Sequence, residues 1–127
     1  MSISGYKRLA VVLAVLCALL AVLCATLFIA YAPLKLRLAF ASEQVHIFDE
    51  MRDKALHSDA PGAAGCLEYV VNYYPSGTKQ ETGSRLDRMV ESARLQSARE
   101  ILDYLRIKTG EDLGTDPEPW IKKYAKR

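Results

Sequence analysis

With 127 residues, half of them hydrophobic, and a formal charge of +2, the chain has room for one small domain beside any membrane segment. The excess charge belongs to Lys7 and Arg8, because all fifteen acids and fifteen of the seventeen basic residues lie beyond residue 33. The part beyond residue 33 therefore offers no general attraction for nucleic acid, and its one cysteine, Cys66, excludes a disulfide-stapled domain.

Residues 1–8 form a short flank. From Leu9 to Ala32 there is neither a charged residue nor a proline. As a helix this run is roughly 36 Å long, enough to cross a hydrocarbon core of about 30 Å with some tilt. The pattern predicts a transmembrane helix over 9–32, with the lipid bilayer as its partner. A secretory signal peptide fits less well, since its apolar region is about 7–15 residues and the best cleavage site, Ala30-Tyr31-Ala32, is followed by Pro33. Nor is a lipoprotein indicated, because Cys17 and Cys24 each follow a Val-Leu pair. Lys7 and Arg8 nearly balance Lys35 and Arg37, and acids count little in the positive-inside rule. The brevity of the amino-terminal flank favours an amino terminus in the cytoplasm and a carboxy-terminal domain outside it. Within the run, Ala14, Ala18, Ala21 and Ala25 repeat at i, i+4, i+7 and i+11. Such a stripe lets two backbones approach, as a homo-oligomer seam or a docking face for a larger membrane protein. An ordinary alanine-rich span gives the same pattern, and no glycine pair is present.

Residues 33–127 read as a small helical domain. Ala41, Val45, Phe48, Met51 and Ala55 recur at three- and four-residue spacing, which predicts an amphipathic helix over 34–56. Pro33 either starts it or kinks a continuous one. Ser58-Asp59-Ala60-Pro61-Gly62 breaks the pattern, with Pro61 suited to a helix start. The run Cys66–Tyr74 has strand-like composition, yet Leu67, Val70, Val71 and Tyr74 form a helical stripe and no second strand-like run exists to pair with it. A short helix closed by Pro75-Ser76-Gly77 follows from that. Ser84 and Asp87 have capping-box spacing, Leu86, Val90, Ala93, Ile101, Leu102 and Leu105 form the next stripe, and Gly110 ends it as a left-handed cap. Asp116-Pro117 opens a last helix containing Trp120 and Tyr124, with Lys122, Lys123, Lys126 and Arg127 at its end. The expected core is Leu86, Val90, Ile101, Leu102, Leu105 and Trp120.

Chemistry is sparse. His46, Glu50, Asp53 and His57 share one helix face, and these are residue types that zinc or iron accepts. The ends of that line are roughly 16 Å apart, so all four cannot share one ion, and the face lies opposite the apolar stripe, as a solvated face does. Ser76-Gly77-Thr78-Lys79 and Lys108-Thr109-Gly110 match strings of penicillin-binding enzymes, but a turn and a helix end are the wrong settings for them. No phosphate-cradling loop and no nucleophile with a paired base is visible, so neither an enzyme nor a cofactor is expected. The basic tail with Trp120 could lie on an anionic membrane, but Glu111, Asp112, Asp116 and Glu118 oppose that, and packing of Trp120 into the bundle is expected. Cys66 reads as a small buried hydrophobe.

The run from Leu105 to Trp120, a helix end followed by Thr109-Gly110, an acid, Gly114, Asp116-Pro117 and Trp120, resembles a segment of uncharacterised bacterial proteins, some of them helical-repeat proteins. Tyr73–Gln80 is similar to small membrane-anchored bacterial proteins. The resemblance implies a bacterial origin and a helical domain and carries no activity; only one copy of the segment is present. The expectation is an all-α chain, one transmembrane helix and then a bundle of three or four helices. Its expected role is a non-enzymatic interaction or assembly module. The alternative is a metal-binding or metal-sensing domain using His46, Glu50, Asp53 and His57.

Overall fold

The computed structural model describes residues 3–125. It is all-helical among them, with α1 at Ile3–Leu56, α2 at Ala60–Asn72, α3 at Arg85–Thr109 and α4 at Pro117–Tyr124. The chain divides into two compact units, Met1–Leu36 and Arg37–Arg127. The first unit is the amino-terminal part of α1, a helix long and apolar enough to cross a membrane by length and composition, with none of its apolar window buried. Of the two courses open at Pro33, the observed one is a continuous α1 with the proline inside it.

In the second unit, the rest of α1 turns one face inward. Ala41, Phe48 and Ala55 are buried, and Val45 and Met51 pack against the same core. The strand-like Cys66–Tyr74 segment is helical up to Asn72, with Ala63, Leu67 and Val70 joining that core. β-branched composition gave way to a stripe that α3 and α4 cover, which is how packing overrides propensity. Val90, Ile101, Leu102, Leu105 and Trp120 are buried as expected, whereas Leu86 is only half-buried and Tyr74, expected on the inner stripe, stays 39% exposed.

Local chemistry sets each helix end. Asp59 caps α2 by accepting from the Gly62 amide at 2.9 Å, and Ser84 caps α3 by accepting from the Asp87 amide at 3.1 Å. The reciprocal half of the capping box is missing. The Asp87 carboxylate turns instead to the preceding loop, accepting from the Gly83 amide at 2.9 Å and the Ser76 hydroxyl at 2.7 Å. These contacts, the Gly83 amide foremost, hold the Asp87 carboxyl below its ordinary value. Gly77, at φ 84°, lies in this loop where a Cβ would stand 2.2 Å from Thr82 Oγ1, so only glycine fits.

The Leu105–Trp120 segment is one continuous helix stop and restart. Gly110 takes φ 72° and its amide bonds the Arg106 carbonyl at 2.9 Å, while the Thr109 hydroxyl donates to Leu105 O at 2.7 Å. Asp112 accepts from the Gly114 amide at 2.9 Å and from Arg106 Nε at 3.1 Å. The Gly114 carbonyl then accepts both Arg106 Nη2 at 2.8 Å and the Trp120 indole N–H at 3.0 Å. Asp116 caps α4 through the Glu118 amide at 3.2 Å. Arg106, Thr109, Asp112, Asp116 and Trp120 thus each satisfy a backbone group in the stretch between the two helices or at their ends.

Candidate interaction surface

The residues singled out for chemistry are not brought together. His46, Glu50, Asp53 and His57 are all exposed on α1. Asp53 accepts from Arg52 Nη2 at 3.0 Å, and His57 Nδ1 lies 2.7 Å from the Asp53 carbonyl. No group of three or more His, Cys, Asp or Glu is arranged to hold a metal among the described residues, so the metal alternative rests on sequence spacing alone. Ala14, Ala18, Ala21 and Ala25 are exposed along the amino-terminal part of α1. Ser76 donates to Asp87, and Lys108-Thr109-Gly110 is the end of α3; both strings are structural. Trp120 is fully buried, while Lys123 and the Tyr124 hydroxyl both reach Glu111, which lowers the Glu111 carboxyl, Lys123 first among the causes. Lys126 and Arg127 lie outside the described residues. Cys66 is buried, and that burial pushes its thiol pKa up, away from the reactive range.

A surface absent from the sequence expectations forms around the end of α2. Tyr69, Tyr73 and Tyr74, with Gly65, Glu68 and Asn72, line an open cleft of about 630 Å³. The cleft has an aromatic floor. Tyr69 and Tyr73, one helical turn apart, stack with centroids 5.1 Å apart, and Tyr73 meets the buried Phe48 edge-on at 6.2 Å. Burial, with Tyr69, Glu43 and Tyr74 nearby, raises the Tyr73 hydroxyl pKa. A Cβ on Gly65 would meet nothing within 4 Å, so the hollow owes its depth partly to that missing side chain.

Two cations from elsewhere in the chain hold this helix end. Arg94, 7% exposed, reaches across from α3, with Nη1 donating to the Val70 carbonyl and Nη2 to the Tyr74 carbonyl at 2.7 Å, while its guanidinium lies 4.7 Å from the Phe48 ring centre. It thereby satisfies carbonyls that the end of α2 leaves open and complements the helix dipole. Tyr74 is held at φ 40°, a left-handed conformation unusual for a non-glycine residue. Lys79 Nζ then sits 4.3 Å from both the Phe40 and the Tyr74 ring centres, a double cation–π contact. Gln80 donates to Gln44 at 2.7 Å in a buried pair. Three tyrosines within Tyr69–Tyr74 were the available signal: a stripe that buries Leu67 and Val70 cannot also bury all three rings on one short helix.

The cleft can offer aromatic faces, phenol hydroxyls and the Glu68 carboxylate to a partner. No protein family, curated protein or solved structure matches the chain.

Proposed function

We propose that the chain is a single-pass membrane-anchored, non-enzymatic interaction or assembly module, with residues 9–32 in the bilayer, the amino terminus in the cytoplasm and the helical domain outside it. The tyrosine cleft at the end of α2 is its partner-binding surface. One observation carries this reading: Tyr69 and Tyr74 are 45% and 39% exposed beside a cleft whose backbone is pinned by buried Arg94. Exposed aromatic residues on a rigid element are the residue types enriched where proteins bind each other. The polar side chains of the domain support the same view, since Asp87, Arg106 and Glu111 are engaged in holding loops and helix ends. Inside the bilayer, the stripe Ala14, Ala18, Ala21 and Ala25 is the surface for self-association or for a larger membrane partner.

A photo-crosslinking amino acid placed at Tyr69 in the full chain tests the assignment. We expect a discrete adduct that is lost on Gly65→Leu, which puts a branched side chain into the cleft where a Cβ meets nothing within 4 Å. An adduct pattern unchanged by Gly65→Leu, with the melting temperature retained, would sink the cleft as the binding surface. Extraction of the chain from membranes by alkaline carbonate would sink the anchor.

A further inference from the structure

A second surface lies around residues 37–45, the first residues of the helical domain. Leu38, Ala41, Ser42 and Val45 of α1 face Leu86, Met89 and Val90 of α3 across a hollow of about 250 Å³. Its lining side chains are apolar apart from the Ser42 hydroxyl. Leu38 and Met89 are 57% and 59% exposed at its rim. The loop 73–84 is fastened beside it, by Lys79 between Phe40 and Tyr74 and by Gln80 on Gln44. Basic residues flank its lining in the sequence: Arg37 adjoins Leu38, and Arg85 and Arg88 adjoin Leu86 and Met89; all three are exposed, Arg88 with one guanidinium nitrogen on the Gly83 carbonyl, and Lys79 is half-exposed, against the exposed acids Glu43 and Glu81. Asp87, in the same region, is buried and already bonded to Gly83 and Ser76.

Chain connectivity says what can cover this surface. Leu38 and Phe40 follow Ala32 by only six and eight residues of α1, about 9 and 12 Å at the helical rise. On the anchoring proposed above, on which this inference rests, that is the zone of lipid headgroups. An apolar hollow with arginines beside its lining in the sequence and Lys79 on the adjoining loop is complementary to such a surface, where acyl chains meet phosphates and each basic residue gains from anionic lipid.

We propose that the face formed by Leu38, Met89, Lys79, Arg85 and Arg88 rests on the headgroup layer of the anchoring bilayer and takes anionic phospholipid as its ligand. Leu38 and Met89 enter the layer, and the three basic side chains pair with lipid phosphates. Lys79 is held in place for this by Phe40 and Tyr74.

The full chain, with Cys17→Ser and Cys24→Ser, is reconstituted into vesicles of phosphatidylcholine alone or mixed with phosphatidylglycerol. A bimane fluorophore is attached at Met89→Cys or, as the control, at Ile107→Cys, which replaces an exposed residue about 27 Å further along α3. Buried Cys66 is left in place. Lipids brominated near the headgroup should quench the probe at 89 and spare the one at 107. That quenching should be greater with phosphatidylglycerol and should be lost on combined Lys79→Glu, Arg85→Glu and Arg88→Glu. Equal quenching at 89 and 107 overturns the proposal. Quenching at 89 that ignores both lipid charge and the charge reversals overturns the anionic ligand. A chain that fails to float with the vesicles overturns the anchor itself, whereas one that floats with an unquenched probe overturns this inference alone.

Discussion

Phe28 and Phe48 belong to the same helix, yet Phe28 is 72% exposed and Phe48 fully buried. Around Phe28 the helix is apolar on every side, and none of its apolar window is buried among the described residues. Around Phe48 it is apolar on one side, and Tyr73, just past the end of α2, and Arg94 of α3 cover that side. Helix formation is indifferent to this contrast, because backbone hydrogen bonds are local in both stretches. What differs is the medium each stretch requires. A one-sided stripe is completed by other helices, and an all-round one requires apolar surroundings on every side.

The contrast can be broken or sharpened by substitution. Trp120→Ala removes a fully buried indole and should cost about 3–5 kcal/mol, whereas Phe28→Ala should leave the unfolding of the domain unchanged; comparable shifts in thermal melting would erase the distinction. Arg94→Ala should cost about 1–3 kcal/mol for each carbonyl left unsatisfied. Arg94→Lys should not restore it, since one ammonium cannot reach the Val70 and Tyr74 carbonyls in the forked geometry of the guanidinium. Chemical denaturation of both variants checks this, and full rescue by lysine would show that charge alone matters.

Asp87 should give the domain an acid sensitivity that the amino-terminal stretch lacks. Its carboxyl is held below the ordinary value, first by the Gly83 amide and then by Ser76. The stabilisation is therefore complete above the unfolded-state value of about 3.9 and is lost as pH falls through the lower folded value. Asp87→Asn should lower the melting temperature at neutral pH and flatten its fall between about pH 5 and pH 2. A parallel fall in both proteins would place the acid sensitivity elsewhere. The smallest effect belongs to the solvated face of α1, where His46→Ala and Glu50→Ala should each change stability by less than about 0.5 kcal/mol. A larger loss, or zinc-dependent protection of the parent protein, would revive the metal alternative.

Much of the fold was legible because its signals are short-ranged. The Ser84 cap, the left-handed Gly110 and the Asp116-Pro117 start each act within four residues, and the stripes of α1 and α3 are read by counting. The candidate surface was not legible in the same way. Tyr74 looked like the next member of the α2 stripe, but the helix stops at Asn72 and the residue turns to φ 40°, which sends its ring to Lys79 and away from the core. The Asp87 carboxylate was expected to close a capping box and was drawn off by the loop, because Ser76 and the Gly83 amide offered it more than the Ser84 amide alone.

By itself, then, the sequence determined the all-helical class, the Ser84 and Asp116 starts, the Gly110 stop, the apolar run and the inward stripes of α1 and α3. Those follow from backbone geometry and side-chain periodicity over one or two turns. Only the tertiary structure decided that Arg94 and Gln80 are buried polar residues, that Leu86 borders a hollow and that three tyrosines share a cleft. Burying a polar group requires a partner that replaces water. Those partners, Val70 for Arg94 and Gln44 for Gln80, are 24 and 36 positions away, beyond the reach of any local pattern.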